Sequence, residues 1–172
     1  MGAMRALVVC ESMFGNTMKI AEEVARGLGD SMPAEVVEVG TAPTVIPDEV
    51  GLLVVGGPTH AFGMSRASTR KSALEQAPEG LVSKGGGVRE WLTALQVNKP
   101  IAAAAFDTRL RAAYLPGSAA KGVHKALRRH RMILIAAPAS FYVTGTKGPL
   151  EEIEAARAFE WGRALAETTS AL

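Results

Sequence analysis

At 172 residues, with 48% hydrophobic side chains and 19 basic against 17 acidic residues, the chain suffices for one domain (1–172) with a substantial core. No apolar run approaches the ~20 residues that cross a bilayer, and the first residues lack the basic and apolar regions of a secretory signal, so a cytoplasmic protein without a membrane partner is expected, with Met1-Gly2-Ala3 read as a remnant ahead of a natural start at Met4. The single cysteine, Cys10, excludes an internal disulfide and a cysteine-based metal cluster.

An apolar run from Met4 to Cys10 predicts a buried strand, and Ile20, Val24 and Leu28 share one face of a helix over Asn16 to Leu28. Between them lies the turn Ser12-Met13-Phe14-Gly15-Asn16-Thr17. A strand that leaves through such a turn as a helix aims the helix's first N–H groups, with the positive end of its dipole, into one concavity, which makes an anion site. Gly15-Asn16-Thr17-Met18-Lys19 places no Lys beside the glycine, so it is not a nucleoside-triphosphatase loop, and the three spaced glycines of the dinucleotide fingerprint are absent. What remains is a cradle that holds a phosphate by backbone N–H groups and the hydroxyls of Ser12 and Thr17. Cys10, within the apolar strand, reads as an inert core residue.

Further along, strands are predicted at Ala34 to Val39, Gly51 to Gly56, Ile101 to Phe106 and Met132 to Ala137, with helices at Val88 to Leu95, Ser118 to Arg129 and Leu150 to Glu167. Strands that alternate with helices build a parallel sheet with right-handed crossovers. Five of them suit the order 2-1-3-4-5 with helices on both faces, and a ligand belongs at the switch point between the first and third strands. Three loops meet there: Ser12 to Thr17, the stretch Pro58-Thr59-His60-Ala61-Phe62-Gly63, and Asp107-Thr108 onward. Asp107 either contacts the ligand or caps the following turn.

Ser65 to Gly87 is a long connection carrying Arg66 and Arg70. It is either a binding loop beside the site or a short helix from Ser68 to Gln76 followed by a hinge. The basic run Lys121 to Arg131 keeps Val123, Ala126 and Leu127 for the core and turns its charges outward. It is a solvated helix face or a docking surface for an acidic partner, and it lacks the interleaved aromatics of a nucleic-acid binder. His60, His124 and His130 are not spaced as metal ligands.

Ser12-Met13-Phe14-Gly15-Asn16-Thr17 resembles the FMN-phosphate loop of the flavodoxin family, with Phe14 in the third position of the aromatic-bearing form of that pattern, where one hydroxyl ligand is lost. The resemblance implies a three-layer flavodoxin-like fold, FMN as cofactor and electron transfer as the activity. It assigns one wall of the flavin to the Thr59 to Gly63 loop and the other to the stretch from Asp107 to Tyr114. Neither loop contains the Trp that flavodoxins commonly place there, so Phe62, then His60, then Tyr114 are the candidates for ring contacts. Gly63, or secondarily Gly57, is the candidate for a peptide that turns over to accept the proton gained at flavin N5. The near-neutral charge departs from the acidic balance of flavodoxins that dock basic partners. A quinone reductase of the same fold, reduced by NAD(P)H, is the alternative activity, and a flavodoxin-shaped binding module without flavin is the alternative of another class.

Overall fold

The computed structural model describes residues 4–60, 63–77, 79–111 and 117–172. Its elements follow in the order β1 (Arg5–Cys10), α1 (Asn16–Leu28), β2 (Ala34–Glu38), β3 (Val50–Pro58), α2 (Ala67–Glu75), α3 (Val88–Ala94), β4 (Ala102–Leu110), α4 (Ala119–Arg129), β5 (Ile133–Leu134), β6 (Ala139–Val143) and α5 (Glu154–Ser170). The sheet is parallel in the order β2-β1-β3-β4-β5, and β6 also pairs with β4.

The central strands carry continuous apolar runs, Ala6 to Cys10, Leu52 to Val55 and Ala102 to Phe106, because both faces of the sheet are covered there. Ala6, Val8, Cys10, Leu52 and Val54 point to the side of α1 and α5, whereas Leu7, Val9, Leu53 and Val55 point to the side of α3 and α4. On the first side Phe106, Phe141 and Trp161 pack edge to face, with ring centroids 5.8–6.2 Å apart. There α1 and α5 cross so closely that a Cβ on Gly27 would meet the backbone of Phe159, and one on Gly162 that of Val24.

Two expectations are corrected at the sheet edge. The fifth strand is not the continuous run Met132 to Ala137. Leu134 pairs with Ala103 and Ala139 with Phe106, so residues 135–138 stand opposite only 104–105. The surplus leaves the ladder, bending at Ala136 and including Pro138, which has no N–H to donate, and pairing resumes in β6. Because β3 runs on to Pro58 on one side and β6 offers a partner on the other, β4 does not stop at Phe106. Asp107 pairs with Ser140 and Thr108 with Phe141, so both lie in a strand and not in a loop. Helix α5 also starts later than Leu150, because residues 144–151 fold back on β6 through Thr144 N–H to the Pro149 carbonyl and Glu151 N–H to the Tyr142 carbonyl.

Candidate functional site

At the end of β1 the Ser12 hydroxyl accepts a hydrogen bond from the Gly15 N–H (3.1 Å), which closes the turn. Gly15 has φ of 96°, a left-handed conformation that glycine adopts without a Cβ penalty, and it swings the chain into α1. The first N–H of α1 to find a helical acceptor is that of Lys19, on the Gly15 carbonyl (3.1 Å). The amides of Asn16, Thr17 and Met18 precede it, and in a helix such leading groups have no internal partner. The Asn16 carboxamide donates to the Lys147 carbonyl (3.1 Å).

The segment from 65 to 87 braces this turn from outside. Ser83 Oγ accepts from the Ser12 N–H (2.9 Å), the Ser83 N–H donates to the Ser12 carbonyl (2.7 Å), and the Val82 N–H to that of Met13 (3.0 Å). Met13 is buried with Ala73, Ala77 and Leu81. The segment thus contains the short helix α2 and serves as a buttress. Its anchor is Glu11, fully buried at the end of β1, which accepts from the Ser65 hydroxyl and from the Val88 N–H (2.9 Å). Burial pushes the Glu11 carboxyl above its usual range, against the pull of those two donors and of the Arg70 charge. Arg70 is turned inward onto Ser65 and Glu90.

Thr17, in the first turn of α1, and Thr108, in β4, join hydroxyl to hydroxyl at 2.7 Å. Beyond β3, Thr59 donates to Asp107 Oδ2 (2.9 Å) and accepts from the Ala119 N–H (3.0 Å), while Asp107 Oδ2 also accepts from the Ala120 N–H (3.0 Å). Asp107 therefore caps α4 together with Ser118, and its second oxygen, Oδ1, is buried without a hydrogen-bond partner. His60 Nδ1 lies 3.0 Å from Thr69 Oγ1. Burial, and secondarily the charge of Arg70, lowers the pKa of its imidazole, which favours the neutral ring. Gly63 and His60 exchange both backbone hydrogen bonds (2.7 and 3.0 Å), and Gly57 belongs to the β3–β4 ladder opposite Asp107. Turning either peptide would break an existing bond.

These loops enclose a cavity of about 240 Å³. Ser12, Met13, Phe14, Asn16 and Thr17 form one side and Pro58, Thr59, His60 and Thr108 another. The predicted ring contacts Phe62 and Tyr114 lie outside the described residues. Gly15, Gly63 and Asp107 shape the surrounding backbone without lining the cavity; Arg109 and Leu110, from the stretch expected to form the second wall, line it, and so do Val143 and Thr146, which were not expected from the sequence. Val143 and Thr146 reach it because β6 extends alongside β4, which local patterning does not signal.

Helices on both faces of a parallel 2-1-3-4-5 sheet, with a cleft at its switch point, define a flavodoxin-like fold. No protein-family model matches the chain, and no curated protein matches its sequence. Among solved structures it is similar to a flavodoxin from the domain Archaea, at 17% identity and a TM-score of 0.67, covering 97% of this chain and 99% of that one. It is also similar to oxidised flavodoxin 1 from Bacillus cereus, at 13% identity and a TM-score of 0.64, covering 95% and 97% of the two chains. The rubredoxin oxygen:oxidoreductase of Desulfovibrio gigas matches at 14% identity and a TM-score of 0.62, over 97% of this chain but 36% of that one. At these identities the likeness is one of fold.

Proposed function

We propose that the chain binds FMN non-covalently and transfers electrons through it to or from a partner protein. The observation that carries this reading is the junction at Gly15, where the leading amides of α1 and the hydroxyls of Ser12 and Thr17 converge on one end of a cavity at the switch point. Among the described residues no carboxylate lines that cavity, which suits an anionic phosphate, and Met13, Phe14, Pro58, Leu110 and Val143 give it apolar walls for a flat ring system.

In this reading the amides of residues 16–18 and the two hydroxyls hold the phosphate, each charge-assisted bond worth roughly 1.5–3 kcal/mol. Thr108 orients the Thr17 hydroxyl, and the Ser83 contacts keep the turn in place. His60, favoured in its neutral form, presents an uncharged wall. Bound FMN supplies one- or two-electron transfer through its isoalloxazine ring.

For the partner, charge is the guide. The sequence has no acidic residue between Asp107 and Glu151, and Lys121, Lys125, Arg128 and Arg129 are exposed on α4, so an acidic redox protein suits this face. Reduction by NAD(P)H loses support at Arg70, which is committed to Ser65 and Glu90.

Titration of the purified protein into FMN is expected to quench flavin fluorescence. Unquenched FMN with colourless protein would leave a flavodoxin-shaped binding module instead. Steady NAD(P)H oxidation with a quinone acceptor would replace the carrier with a reductase.

A further inference from the structure

The turn between β1 and α1 contains no cation, and Phe14 supplies no hydroxyl to a ligand there. A phosphomonoester carries close to two negative charges at neutral pH. The loop after β6 lies beside this turn. It is closed on itself by the Gly148 N–H to the Gly145 carbonyl (2.9 Å) and by the Thr144 N–H to the Pro149 carbonyl (2.9 Å). It is tied to the first residue of α1 by Asn16 Nδ2 on the Lys147 carbonyl (3.1 Å). The fit leaves no slack: Gly148 has φ of 95°, and a Cβ there would stand 2.5 and 2.6 Å from the two polar atoms of the Asn16 carboxamide. Thr146 of the loop lines the cavity. The Lys147 ammonium lies 5.9 Å from the centroid of the Phe14 ring, itself a cavity wall. Among the described residues Lys147 has no carboxylate partner.

We propose that the loop after β6 is a second half of the phosphate site and that Lys147, seated over Phe14, supplies its positive charge. The inference rests on the FMN reading and adds to it a specificity: the site discriminates the phosphorylated flavin from riboflavin by charge as well as by the α1 amides. Phe14 then supplies a surface on which an ammonium can rest. Asn16 serves by holding the loop, not by touching the phosphate.

The test compares FMN with riboflavin by fluorescence quenching of the wild-type chain, Lys147→Met and Lys147→Arg, each at low and high salt. Lys147→Met keeps the apolar stem and removes the charge. It is expected to weaken FMN binding about five- to tenfold at low salt, to flatten its salt dependence and to leave riboflavin within about twofold. Lys147→Arg is expected to restore FMN binding. Wild-type binding of FMN that Lys147→Met leaves unchanged, or an equal loss for both flavins, overturns the role of Lys147 and leaves the FMN reading standing. A wild-type chain that binds neither flavin removes both. A melting curve of Lys147→Met coincident with the wild type establishes that the fold is intact.

Discussion

The hydroxyls of Thr17 and Thr108 meet at 2.7 Å although 91 residues separate them, and both line the cavity. This bond ties the first turn of α1 to the end of β4. Thr17→Val keeps the shape and removes the hydroxyl. FMN affinity is expected to fall about 10- to 100-fold, as one charge-assisted bond is lost. Thr108→Val is expected to cost less, since Thr108 acts through Thr17, and the double variant should resemble Thr17→Val alone. Calorimetric titration with FMN checks the series.

Asp107 is fully buried and caps α4 with one oxygen. Asp107→Ala strands the Ala120 N–H and the Thr59 hydroxyl, and a stability loss of about 1–3 kcal/mol is expected in urea unfolding. Thr59→Val removes a donor to Asp107 and an acceptor for Ala119, and it should lose stability by a similar route. The two losses should not add, because the residues share one network.

Glu154 at the start of α5 accepts from Arg157 (2.7 and 2.9 Å) and from the Tyr142 N–H (2.7 Å). Burial alone would raise its pKa, but these bonds and the charges of Arg157 and Arg111 outweigh it and hold the carboxyl below the usual carboxylate range. A depressed carboxyl contributes stability that is complete above its unfolded pKa and is lost as pH falls through the folded one. Glu154→Gln is therefore expected to melt lower than the wild type at neutral pH, by about 1–3 kcal/mol. The gap should close below about pH 4. Melting temperatures recorded across that range decide it.

Cys10 is buried between sheet and helices, with its Sγ 3.6 Å from Met18 Sδ. Burial first, then the charges of Glu38, Glu22 and Glu11, pushes its thiol up to about 12. Neutral-pH labelling with a thiol reagent should leave the native chain unmodified and label it in denaturant.

The crossing of α1 and α5 rests on Gly27 and Gly162, where a Cβ would enter the facing backbone. Gly162→Val is expected to lower stability by about 1–3 kcal/mol or more, since the helices must separate. The expected sign is a lower urea midpoint with an unchanged slope.

The sequence by itself determined the parts of this protein that are written in neighbouring residues. The apolar runs, their alternation with helices and the turn at Gly15 specify the sheet order and the anion-facing end of α1, because strand, turn and helix occupy one contiguous stretch. The tertiary structure decided what Asp107, Ser83 and Lys147 do. Asp107 lies within a strand because β3 continues beside it to Gly57 on one side and β6 arrives opposite it on the other. Ser83 meets Ser12 across 71 positions, and Lys147 meets Asn16 across 131. Such contacts depend on which segments the closed sheet brings together, and a backbone carbonyl or an exposed lysine carries no local signal of the neighbour it will find.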